Sequence, residues 1–203
     1  MYVPALHQVD DPATLVAFMR AYNFATVITP TAERTLITHL PTIVDDAGDS
    51  LRIRGHLARA NPHADSLGES AVTTVVFQGP HAYVSPSLYD AREAVPTWNY
   101  IAVHASGSTR VLDADATQAV LEESIATFEP AYRAQWDGLD AAYRDGLSRG
   151  VVAFEVDVTL LEGKYKLSQN RSTAEQGRMA AHLARSEDTQ VSSVGRAMAD
   201  LTG

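Results

Sequence analysis

Two hundred and three residues, 45% hydrophobic and 20% charged, suit one domain with room for a small appendage and exclude disorder of the bulk chain. Sixteen Lys and Arg against 25 Asp and Glu leave a net charge of −9, which repels phosphate backbones and makes direct nucleic-acid binding doubtful. The lack of cysteine excludes disulfides, thiolate metal sites and Cys nucleophiles.

In chain order, Asp11 can cap a first helix with Pro12 at its first turn and Leu15, Phe18, Met19 and Tyr22 on one stripe. The opening MYVPALHQVDD has no signal-like apolar run, and no stretch approaches a membrane span, so the expectation is a soluble, cytoplasmic protein without membrane contact. Phe24 to Thr29 reads as a strand stopped by Pro30. Thr35–Val44 and Leu51–Ala58 read as two strands joined around Asp45-Asp46-Ala47-Gly48-Asp49, with Pro41 demanding an edge or a bulge. Val72–Phe77 and Tyr100–His104 follow, and Ser106-Gly107-Ser108 reads as a turn before Thr109–Leu112.

Two helices come next. Asp115 with Gln118 resembles a capping box ahead of Leu121, Ile125, Phe128 and Tyr132. Trp136, Leu139, Tyr143 and Leu147 continue the period until Gly150. The strand Val151–Leu160 alternates, with Val152, Phe154, Val156, Val158 and Leu160 opposite Glu155, Asp157 and Thr159. Ser172 with Glu175 caps a last helix. Residues 1–185, with a helical insertion at about 115–149, make one domain in this reading, and 186–203 a loose polar tail. Six or seven strands with short connectors point to an α+β, mainly antiparallel barrel with flanking helices.

Nucleotide-loop, zinc-protease and serine-hydrolase motifs are absent. Polar islands stand on apolar strands instead. Thr38-His39-Leu40-Pro41 is the first. In the second, Arg52, Arg54 and His56 share one strand face and lead into Arg59 and Asn61-Pro62-His63. These arginines suit a phosphate; pairing with surplus carboxylates is the other reading, and both stay open. Gly79 to Pro86 is the third island. Val95 to Tyr100 alternates polar and aromatic groups, which suits a planar heteroaromatic ring or, equally, a loop anchored by core aromatics. In Glu162 to Arg171, three basic residues fall within eight positions of an acidic chain, either to meet an anion or as a solvated turn. The seven histidines are scattered without metal-ligand spacing, so no metal is expected.

Taken in order, Met1-Tyr2-Val3-Pro4, Thr38-His39-Leu40-Pro41, Gly55-His56-Leu57-Ala58-Arg59-Ala60-Asn61-Pro62, Gly79 to Pro86, Val95 to Tyr100 and Lys166 to Arg171 resemble the PaiB family of FMN-binding negative transcriptional regulators. The resemblance runs from residue 1 to about residue 180. It implies an FMN-binding split β-barrel like that of pyridoxamine-phosphate oxidase, assembled as a homodimer with flavin at the subunit interface.

Carried over by position, Thr38, His39 and Leu40 line the isoalloxazine, and His56, Ala58, Arg59 and Asn61 approach the phosphate and ribityl chain. Thr97, Trp98 and Asn99 close the ring edge, together with Lys166, Gln169 and Arg171, with either subunit as their source. The oxidase's arginine- and tryptophan-bearing C-terminal signature has no counterpart in His182 to Gly203, so a typical pyridoxamine-phosphate oxidase is not expected. A flavin-binding regulator acting indirectly is the first reading, and a small flavin-dependent oxidoreductase, with His39 and His56 as candidate proton carriers, is the alternative. A barrel that has lost its cofactor and serves as an interaction module is a third.

Overall fold

Described at residues 1–47, 50–69 and 72–201 in a computed structural model, the chain forms eight strands and seven helices among those residues. It is an α+β fold, and every strand pair whose register is described is antiparallel. The chain divides into two compact units. One comprises Met1–Phe18, Gln78–Val103 and Glu162–Gly203; the other comprises Met19–Phe77 and His104–Leu161. Three long strands, β6 (Thr73–Val84), β7 (Thr97–Val111) and β8 (Val151–Lys166), contribute residues to both.

The second unit is built on β2 (Phe24–Pro30), β3 (Thr35–Pro41), β4 (Ile43–Asp45) and β5 (Arg52–Ala58) with the adjoining parts of the long strands, in the order β3-β2-β6-β7-β8-β5-β4. Alternation decides what faces inward. Ala25, Val27 and Thr29 are buried on β2, and Ile53, Gly55 and Leu57 on β5, leaving Arg52, Arg54 and His56 on the opposite face as expected. Although β3 ends the sheet, Leu40 touches β5: a Cβ on Gly55 would lie 2.7 Å from Leu40 Cδ1 and 3.1 Å from Phe154 Cζ. The sheet of this unit therefore curls until side chains bridge strands that share no hydrogen-bond ladder.

The expected strand over 35–44 is two strands. Pro41 ends β3 at the sheet edge, the backbone N–H of Thr42 donates to the Asn23 carbonyl at 2.8 Å, and β4 turns to pair with β5. Gly48 and Asp49 of the expected connector lie outside the described residues. Nor is there a turn at Ser106–Ser108, because β7 runs straight through it. A Cβ on Gly107 would run into the Asp157 carbonyl of β8, so this glycine serves close strand approach rather than chain reversal.

Helix α3 (Ala114–Phe128) is capped by Asp113, which accepts from the Ala116 N–H at 2.9 Å; the expected cap, Asp115, lies inside the helix. The second expected helix divides into α4 (Arg133–Asp137) and α5 (Ala141–Arg149), because Asp140 caps a new start by accepting from the Tyr143 N–H.

In the first unit, the short β1 (Gln8–Val9) pairs with β8 through Gln8↔Lys164 and Val9↔Gly163. Helix α1 (Pro12–Ala21) starts here, with Asp11 accepting from the Thr14 backbone at 2.8 Å and Leu15 and Phe18 buried. The Ser172–Glu175 capping box opens α6 (Thr173–Leu183) as expected. The expected loose tail is instead α7 (Thr189–Asp200), packed on α6 with Val194 and Met198 buried; Thr202 and Gly203 lie outside the described residues. Small residues between two buried apolar positions, four apart on one helical stripe, make a packed helix out of a segment whose composition reads as polar. Among the described residues, no helix is long and apolar enough to cross a membrane.

Candidate functional site

In the second unit, the chain leaving β5 folds back on itself at Asn61. Its side-chain Oδ1 accepts from the His63 backbone N–H at 3.0 Å, which turns the amide nitrogen toward Thr38. Asn61 Nδ2 donates to Thr38 Oγ1 at 3.4 Å, and His63 Nδ1 lies 2.8 Å from the same oxygen. His63 opens the short helix α2 (His63–Ser66) and is 1% exposed, and its Nε2 has no hydrogen-bond partner among the described residues. Burial holds its pKa below the ordinary value, which favours the neutral ring.

Thr38 and Leu40 share the inward face of β3 while His39 is exposed on the other. The fold thus joins Thr38 to Asn61 and to His63, a residue absent from the expected site. The Asn-Pro-His run carried the signal, since an Asn at a tight turn orients the residue two positions on.

The arginines of the second polar island are engaged. Arg54 pairs with Asp45 at 3.0 Å and Glu123 at 2.9 Å, and Arg52 lies 3.8 Å from Glu155. Arg59 donates from Nε to the Arg149 carbonyl at 2.8 Å and from Nη2 to the Val151 carbonyl at 2.9 Å. It clasps the corner between α5 and β8. Ala58 is exposed at the end of β5; His56 is half-buried, and burial lowers its pKa.

A different set gathers in the first unit. Trp98, 53% exposed, lies 5.7 Å from the His81 ring and 6.2 Å from the Tyr83 ring, measured between centroids. Lys164, although buried, donates to the Tyr2 carbonyl at 3.0 Å and sits 5.5 Å from the Tyr2 ring and 5.3 Å from the Tyr100 ring. Lys166, half-buried, donates to Thr97 Oγ1. Neither lysine has a carboxylate partner among the described residues.

Other expected residues of this unit are spent locally. Asn99 is fully buried, donating to Ser168 Oγ at 2.9 Å and accepting from it at 3.1 Å, which pins a backbone turn with φ of 63° at Ser168. Gln169 Oε1 accepts from the Leu167 N–H and faces His7 Nδ1, both at 2.8 Å. Arg171 stacks on Tyr89 with its guanidinium 3.7 Å from the ring centroid. Flat aromatic surface beside an ammonium group free of acid partners is chemistry for a planar anionic ligand.

Residues 1–160 match the family described as "Putative FMN-binding domain". The chain belongs to this family. Within it, the chain is 32% identical over 203 residues to "Protease synthase and sporulation protein PAI 2" of Bacillus subtilis strain 168, covering 98% of this chain and 97% of that protein. The PaiB resemblance therefore holds along the whole chain. The flavocytochrome Anf3 of Azotobacter vinelandii superposes with a TM-score of 0.63 at 14% identity, over 78% of this chain and 68% of that one. The FAD and heme binding protein of Mycobacterium smegmatis gives 0.61 at 18% identity, over 79% and 73%. At such identities the likeness establishes the split-barrel fold. Lys164, Lys166, Gln169 and Arg171 lie beyond the residues matched to the PaiB-like family domain but within the alignment to the Bacillus relative.

Proposed function

We propose that this chain binds FMN and works as a homodimeric, flavin-responsive regulator that affects gene expression without itself entering DNA. The observation that carries the reading is Lys166: on a chain with net charge −9, a half-buried ammonium has a hydroxyl partner and, among the described residues, no carboxylate. Such a group is prepared for an anion brought from outside, and a phosphate supplies one.

The residues fit a flavin. In the first unit, Lys166 and Thr97 suit a phosphate and Trp98 with His81 and Tyr83 offers aromatic surface; taken by itself, the second unit offers in Thr38 and Asn61 polar contacts of the kind a flavin accepts. A bound flavin supplies reversible electron transfer, while the protein supplies binding and orientation. The family description and the Bacillus relative support the same reading. The net negative charge supports indirect regulation, since a groove-binding surface needs a basic footprint.

The deciding experiment is an FMN titration of the purified protein followed by its visible spectrum. Saturable uptake with a perturbed flavin band is expected, and a protein that takes up no FMN overturns the reading. Light scattering is expected to give twice the chain mass. Salt-sensitive, sequence-selective retardation of DNA by the purified protein would overturn the indirect role.

A further inference from the structure

We propose that His63 carries its ring proton on Nδ1 and thereby makes the Thr38 hydroxyl an obligate hydrogen-bond donor toward the bound ligand, which, resting on the flavin reading above, is an acceptor atom of FMN. The argument is one of donor and acceptor balance. A hydroxyl has one hydrogen and two lone pairs. Asn61 is locked by the His63 backbone N–H so that its Nδ2 donates into one lone pair of Thr38 Oγ1. His63 Nδ1, at 2.8 Å, either donates into the second lone pair or receives the hydroxyl hydrogen.

The far side of the ring decides between these. Nε2 is buried and has no partner among the described residues. If the proton sat on Nε2, a buried N–H would be orphaned, and orphaned buried donors are the rarer defect in folded proteins. With the proton on Nδ1 the unpartnered atom is a bare ring nitrogen. Both lone pairs of Thr38 are then filled from inside the protein, and its hydrogen must find an acceptor elsewhere. Thr38 itself is half-buried rather than sealed in the core.

The consequence is selectivity. A hydroxyl free to rotate serves a donor or an acceptor alike, whereas this one rewards carbonyl oxygens and bare ring nitrogens and leaves an N–H unmatched. His63 is a positioning residue acting through Thr38, and it does not itself touch the ligand.

Two measurements test this. Long-range 15N–1H correlation spectra of the wild-type protein without FMN report the His63 tautomer directly. Protonated Nδ1 with bare Nε2 is expected, and the reverse overturns the proposal, whether or not FMN binds. FMN affinities of Thr38→Val, His63→Leu and the double variant form a cycle. Thr38→Val is expected to weaken binding about five- to tenfold, the scale of one hydrogen bond. His63→Leu is expected to weaken it less, and to add nothing in the Thr38→Val background. Additive losses would mean that His63 acts independently of Thr38, and would overturn the relay. A wild type that takes up no FMN overturns the flavin reading and the ligand named here, while the tautomer still decides the orientation of the hydroxyl.

Discussion

Leu40 Cδ1 of β3 lies only 2.7 Å from where a Cβ on residue 55 of β5 would stand. Glycine at 55 is what lets the sheet of the second unit curl until its outermost strand meets β5. Gly55→Ala must push Leu40 or Phe154 aside in a packed interior. A loss of about 1–3 kcal/mol in unfolding free energy is expected, read as a lower urea midpoint with unchanged slope. An unchanged midpoint would show that the contact is slack.

Burial depresses the pKa of both His56 and His63 below the ordinary 6.5. The unfolded chain therefore takes up protons at a higher pH than the folded one. Their contribution to stability is complete above about 6.5 and is lost as the pH falls through and below that value. Urea midpoints are expected to drop between pH 7.5 and pH 5.5, and His63→Gln should flatten that slope. A midpoint independent of pH over this window would contradict the burial of the two rings.

Arg59 holds two backbone carbonyls, of Arg149 and Val151, with its Nε and Nη2. Arg59→Ala is expected to loosen the corner between α5 and β8 at a cost of about 1 kcal/mol, the net scale of such hydrogen bonds on an exposed side chain. Hydrogen exchange should speed up locally at residues 149–152. Exchange that is unaltered there would assign the arginine a role away from this corner.

Lys166→Met and Trp98→Ala separate the two halves of a flavin. Losing a charge-assisted contact to phosphate is expected to weaken FMN binding about tenfold or more while leaving riboflavin affinity nearly unchanged. Losing the Trp98 ring should weaken FMN and riboflavin alike, by roughly three- to tenfold. Equal effects of Lys166→Met on both ligands would place the ammonium away from the phosphate.

Local chemistry was legible in the sequence. The Ser172–Glu175 capping box, the Asp11–Pro12 helix start and the alternation of β5 are all set by residues within a few positions of one another, and each stands in the structure as read. The break at Thr42, the uninterrupted β7 and the helix α7 depend on what lies across the fold: the Asn23 carbonyl, the β8 backbone against Gly107, and α6.

The sequence by itself determined the family, the α+β class and the polar islands from which a site could be built. Tertiary structure alone decided how those islands are used. Thr38 meets His63 across 25 positions of sequence, Asn99 is spent on Ser168, and Arg52 and Arg54 are taken by carboxylates. The physical reason is that propensity and alternation act over one turn or one pleat, whereas hydrogen-bond balance is settled among groups that only folding brings within 3 Å or so of each other.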